Sequence, residues 1–127
     1  KFSLGHLTQC PSSSLRDTIA FEAAEKFSSE QPFFKVIVGK KSSVLRLPND
    51  FVKSHIDQKA QTVTLKVGNR SWLVKLLRSS SGYYLSGGFS KFARQTSLSP
   101  GDVCIYELTE RNQVVLKVSI FRFTVVA

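Results

Sequence analysis

The side chains available for chemistry in this sequence are mostly cations, and they are unevenly spread. Between Gln31 and Pro100 stand twelve basic residues (Lys35, Lys40, Lys41, Arg46, Lys53, Lys59, Lys66, Arg70, Lys75, Arg78, Lys91 and Arg94) against Asp50 and Asp57. No acid occurs from Gln58 to Gly101, whereas the rest of the chain holds six basic and seven acidic residues. A field of one sign repels itself, so it is ordinarily matched to a polyanion, and nucleic acid is the commonest such partner. A basic solubilising surface is the alternative that charge alone leaves open. Membrane binding would call for a basic amphipathic helix, and these cations fall on strand-like segments and loops instead.

Catalysis and metal binding find few residues to use. Asp102 follows Pro100-Gly101, where an aspartate commonly serves the turn by bonding nearby backbone groups. A serine nucleophile needs a base, yet neither His6 nor His55 sits in a nucleophile motif. No CxxC, HxxxH or carboxylate-rich loop is present, which argues against structural zinc or calcium. Cys10 lies in a polar stretch and Cys104 in an apolar run, so two reduced thiols of an intracellular protein are expected, a single bridge being the alternative. The expectation is a binding protein with no enzymatic activity, no cofactor and no small-molecule substrate.

At 127 residues, 42% hydrophobic and 21% charged, the chain is expected to form one soluble domain with an ordinary core. Its apolar runs fall far short of the roughly 18 residues that cross a bilayer. Residues 1–20 lack a continuous apolar signal-peptide region. A start at Lys1 and the absence of methionine suggest a segment of a longer protein.

Residues 1–14 read as a polar lead-in and 15–127 as the single domain. Ser14 and Asp17 resemble a helix cap, and Ile19, Phe21, Ala23, Ala24 and Phe27 predict an acidic helix over about 15–28. From Pro32 the period becomes two. Strands are predicted at Phe33–Val38, Val44–Leu47, Gln61–Val67, Arg70–Leu77, Tyr83–Ser86, Val103–Leu108 and Val114–Phe123. Pro48 opens a short helix through Ile56, a second covers Ser90–Gln95, Gly68-Asn69 signals a hairpin, and Ser99-Pro100-Gly101-Asp102 suits a type II turn. Many short strands must close or stack to hide their edges, so a barrel or sandwich is favoured. Trp72 shares a face with Val74 and Leu76 and is placed in the core; of Tyr83 and Tyr84, one should point in and one out.

Several pieces in a fixed order resemble one family. They are Ala23-Ala24-Glu25-Lys26-Phe27, Pro32-Phe33-Phe34-Lys35-Val36, Leu47-Pro48-Asn49-Asp50-Phe51, Trp72-Leu73-Val74-Lys75-Leu76, Gly88-Phe89-Ser90-Lys91-Phe92 and Leu98-Ser99-Pro100-Gly101-Asp102-Val103-Cys104-Ile105-Tyr106-Glu107-Leu108. Together they resemble the plant DNA-binding domain family called B3, in particular its reproductive-meristem and vernalization-regulator branch. The family usually has tryptophan where Phe89 stands and asparagine near Thr96 or Ser97.

The resemblance implies a mainly β fold, a seven-stranded open β-barrel (pseudobarrel) with two short helices and an added N-terminal helix. It implies a nuclear plant transcriptional regulator that grips the major groove of double-stranded DNA with two loops, expected at one barrel end. Here these are Gly39–Ser43 and Leu77–Gly82. Lys40, Lys41 and Arg78 would supply charge, Ser42, Ser43, Ser79, Ser80 and Ser81 phosphate-bonding hydroxyls, and Lys75 a strand-borne contact. Arg78 is the candidate for a guanine edge, since a guanidinium pairs with O6 and N7. The second loop is short and serine-rich beside the family's sequence-specific members, which implies backbone-dominated binding with weak or no sequence preference. RNA, an acidic protein, or the recognition domain of a nuclease are the competing readings.

Overall fold

The computed structural model describes Ala20, residues 22–40 and residues 43–123. Lys41 and Ser42 of the first loop, the lead-in and the start of the N-terminal helix lie outside the described residues. Seven strands alternate with two short helices: β1 (Phe33–Ile37), β2 (Leu45–Leu47), α1 (Asn49–His55), β3 (Thr62–Val67), β4 (Arg70–Ser79), β5 (Gly82–Leu85), α2 (Phe89–Gln95), β6 (Val103–Glu110) and β7 (Val115–Phe121). They form one curled sheet in the order β1-β6-β7-β3-β4-β5-β2, with β3 and β7 parallel and the other neighbours antiparallel. The mainly β, seven-stranded open barrel is therefore as expected. Its two edges, β1 and β2, do not pair, and between them lies a cleft of about 170 Å³ lined by Val36, Val38, Val44, Leu45, Phe89 and Tyr106.

Strict alternation makes the interior. Phe34, Leu47, Val63, Leu65, Trp72, Val74, Leu76, Leu85, Cys104, Tyr106, Leu108, Leu116 and Val118 point inward, with α1 and α2 closing the ends through Phe51, Val52, Phe89 and Phe92. The Trp72 ring meets Phe92 edge-on at 5.0 Å, and its Nε1 donates to Gln95 Oε1 at 2.9 Å, so a large apolar body is buried with its one polar atom satisfied. Phe89 lies in the core and Thr96 Oγ1 donates to the Phe92 carbonyl at 2.8 Å, so both departures from the family pattern sit in interior positions. The Pro-Gly turn closes as its sequence dictates: Asp102 N donates to Ser99 O at 3.0 Å, and its carboxylate accepts from Ser99 N and Phe123 N and pairs with Arg122.

The outer face divides into two halves. Over β1, β6 and β7 the helical residues 20 and 22–25 bury Ala20 and Ala24 against Val103 and Ile105, with Phe27, Phe33, Ile37 and Phe121 around them. Glu22 and Glu25 face solvent. The helix stops at residue 25, short of the expected Ser28, because Phe27 turns down to meet Phe33 edge-on at 5.1 Å. Over β2, β5, β4 and β3 the described residues provide no such cover.

Candidate nucleic-acid interface

The residues expected to act together are arranged around one sheet edge. β2 pairs with β5 in three register pairs: Leu45 with Leu85, Arg46 with Tyr84, and Leu47 with Tyr83. The first loop enters this ladder at Leu45, beside the end of β5, whereas the β4–β5 turn feeds its beginning. The two loops therefore flank the ladder at opposite ends rather than sharing one rim, which corrects the expectation from sequence. The reason is register: β2 runs antiparallel to β5, so the segment that precedes β2 must lie away from the turn that precedes β5.

The second loop is also smaller than expected. Arg78 pairs with Tyr83 and Ser79 with Gly82, so β4 runs on to Ser79 and only Ser80 and Ser81 form the turn. This extension decides where Arg78 goes. Period two puts it on the face of Trp72, Val74 and Leu76, where, past the last buried residue of the strand, it stays exposed. Beyond the end of the core its guanidinium folds over the barrel mouth, Nη1 donating to Ala60 O at 2.7 Å and Nη2 to Asp57 O at 3.1 Å. Those two carbonyls belong to the segment between α1 and β3, so Arg78 ties that segment down.

Arg46, one of the twelve cations of the basic stretch, stands between the two loops. It is exposed on β2, its Nη2 donates to Ser81 O at 2.7 Å, and its guanidinium lies 5.8 Å from the centre of the Tyr84 ring. The side chain crosses Gly82, whose φ is +143°; a Cβ there would stand 3.0 Å from Arg46 Nη2. Glycine is needed both for that backbone angle and for the arginine to lie flat against the hairpin. The signal was available in the sequence: in Leu45-Arg46-Leu47 the middle residue alone points outward.

Of the remaining candidates, Lys40 and Ser43 are exposed, while Lys41 and Ser42 lie outside the described residues. Lys75 is exposed on the outer face of β4, and its backbone bonds Ser86 and Gly87 just past the end of β5, near where the first loop meets β2. The serines are partly committed to one another. Ser79 and Ser81 hydroxyls lie 3.0 Å apart, and Ser81 Oγ is 2.9 Å from Tyr84 Oη. Ser80 makes no side-chain hydrogen bond among the described residues and caps the tip. Arg70 belongs elsewhere, its guanidinium 4.7 Å over Trp72 and bonded to Gln95.

Among the described residues, the two groups closest to nucleophilic or base chemistry are Cys104 and His55. Cys104 is a buried free thiol beside Tyr106, and burial above all pushes it up to about 12, far from the thiolate a nucleophile needs. His55 lies 5.0 Å from the Phe51 ring, its Nδ1 buried without a hydrogen-bond partner among the described residues. No cluster of three or more His, Cys, Asp or Glu able to hold a metal occurs among the described residues.

Comparison with known proteins accounts for this scaffold. The chain is 28% identical over 107 residues to the B3 domain-containing transcription factor VRN1 of Arabidopsis thaliana, covering 81% of this chain and 31% of that one. It is 36% identical over 90 residues to the Arabidopsis B3 domain-containing protein At3g17010, covering 69% and 30% respectively. The chain thus spans about a third of the length of these relatives. Among solved structures, the hypothetical Arabidopsis thaliana protein At1g16640.1 has the same fold at a TM-score of 0.63 and 20% identity, covering 79% of this chain and 99% of that one. The Arabidopsis FUS3–DNA complex follows at 0.51 and 16% identity, covering 68% and 96%. The family described as the B3 DNA binding domain matches residues 33–124. That span begins at β1 and takes in every strand and both short helices described above, so the chain belongs to the B3 DNA-binding domain family.

Proposed function

We propose that this chain is a double-stranded DNA-binding module of a nuclear plant transcriptional regulator, without catalytic activity of its own. The β2–β5 ladder faces the major groove, and a loop at either end meets the phosphates that border it. From Leu85 back to Ser81 is four residues, about 13 Å of strand, which is close to the roughly 12 Å width of that groove. Lys40, Lys41, Ser42, Ser43 and Lys75 act at one end, Ser79, Ser80 and Ser81 at the other, and Arg46 between them. Arg78 contributes charge and braces the barrel mouth. The observation that carries the reading is Arg46, an exposed guanidinium held between two polar loops on strands without a single acid.

Binding is backbone-dominated with weak or no sequence preference. What supports this is the size of the second turn, the mutual bonding of its hydroxyls, and the turning away of Arg78, which leave few free groups to read base edges. A relative in fold, FUS3, has been solved with DNA, which supports the partner class. The test is a titration of unrelated duplexes over a range of salt. Neutralising about five phosphates gives a slope of log K against log salt of about −4 to −5. Changing Lys40 and Lys41 together to alanine should weaken all duplexes alike and make that slope shallower by about 2. Salt-independent affinity, or preference for duplex RNA, whose major groove is too narrow for such loops, would overturn the reading.

A further inference from the structure

Arg46 is held more closely than an exposed strand residue needs to be. Its Nη2 donates to Ser81 O at 2.7 Å, and its guanidinium lies 5.8 Å from the centre of the half-buried Tyr84 ring. Ser81 Oγ in turn is 2.9 Å from Tyr84 Oη. Ser81 thus grips the arginine with its carbonyl and the tyrosine with its hydroxyl, and the three side chains close a clasp across Gly82. A free arginine samples many rotamers, so a guanidinium that is already fixed loses less freedom on meeting its ligand.

What that ligand is follows from the unspent donors and their place. The other N–H groups of Arg46 have no acceptor among the described residues, and β2, β4 and β5 contain no acid to compete for them. Arg46 pairs with Tyr84 in the middle of the β2–β5 ladder, away from both ends where the loops stand. With the ladder spanning the groove, it lies about 6 Å from either phosphate wall of a channel roughly 12 Å wide, and it faces base edges. A guanidinium only donates, so it favours guanine, which offers both O6 and N7. Adenine sets a donor beside its N7, and thymine a methyl group beside its O4.

We propose that Ser81 and Tyr84 are positioning residues that hold Arg46 to pair with guanine from the major groove. Resting on the DNA-binding reading above, this role makes Arg46 the source of the module's sequence preference. One guanine contact amid several phosphate contacts gives a weak preference and not a strict one. Tyr84 touches no base itself: it acts by keeping the guanidinium against the hairpin.

The probe is a short duplex of alternating guanine and cytosine, compared with the same duplex in which every guanine is 7-deazaguanine, which pairs normally but lacks the N7 acceptor. The unaltered protein should bind the 7-deaza duplex about fivefold more weakly, and Arg46→Ala should bind the two alike. Tyr84→Leu should shrink that discrimination to less than about twofold while the salt slope holds, and should cost nothing further in the Arg46→Ala background. Tyr84→Phe keeps the ring and should retain more of the discrimination than Tyr84→Leu. Ser81→Ala, at an exposed turn that tolerates it, removes the same hydroxyl contact from its other end and should match Tyr84→Phe. Equal binding of the two duplexes by the unaltered protein, with the salt slope intact, overturns the guanine contact and leaves the DNA-binding reading standing, whereas salt-independent binding removes both. Tyr84→Leu losses that are the same with and without Arg46, or that spare the discrimination, reduce Tyr84 to a scaffold residue and overturn the positioning role.

Discussion

The two halves of the outer sheet face are built from the same alternating pattern and end in different states. On β6, Val103 and Ile105 alternate with inward Cys104 and Tyr106 and are buried beneath the helical residues 20 and 22–25. On β4, Leu73 and Leu77 alternate with inward Trp72, Val74 and Leu76 and remain exposed, with Lys75 between them. An apolar residue facing outward is therefore core in one place and surface in the other. What separates them is cover, together with the sign of the charges nearby: an acidic helix lies over one half, and the other carries only cations.

Removing side chains from the covered half should do the most damage. Ile105→Ala leaves a cavity between sheet and helix and should lower stability by about 3 kcal/mol, measured by urea unfolding. A cost as small as that of a surface change would mean the helix contributes no second core. Next, Arg46→Ala on the bare half should weaken duplex binding about tenfold, roughly 1.4 kcal/mol, with a smaller change in unfolding free energy. Unchanged DNA affinity in a titration would remove Arg46 from the centre of the interface. Arg78→Ala should cost about 1 kcal/mol of stability, since the Ala60 and Asp57 carbonyls lose their donors, and should affect all duplexes alike. A selective loss for one DNA sequence would return Arg78 to a base-reading role. Smallest of all, Leu73→Ser should change stability by less than about 0.5 kcal/mol. A larger cost would show that the exposed leucine is buried in solution, and the contrast between the halves would fail.

Much of the scaffold was legible because its signals are local. Alternation in Thr62–Val67 and Arg70–Leu77, proline at the start of α1, and Pro100-Gly101 in the turn each act over a few residues. Trp72 in the core followed from parity alone; parity set Tyr83 and Tyr84 on opposite faces without saying which points outward. The site was less legible. Its two loops fall at opposite ends of the β2–β5 ladder and not on one rim, which local sequence does not reveal because the antiparallel pairing of β2 with β5 joins residues some 40 apart. The turn composition of Ser79-Ser80-Ser81-Gly82 puts Arg78 in a loop by sequence. Cross-strand bonds extend β4 through Ser79, and parity then sets the exposed guanidinium over the Asp57 and Ala60 carbonyls. The same holds for Arg46: nothing near it in sequence reveals that Ser81 and Tyr84 lie beside it.

Composition and spacing settled that this chain is a β-rich domain with an acid-free cationic stretch, since charge counts and the period of two need no knowledge of neighbours. Which cations stand free, which brace the barrel, and which apolar residues lie under a helix were settled by pairing register and packing. These depend on contacts between distant segments, and a strand's parity assigns a side chain to a face without saying what, if anything, covers that face.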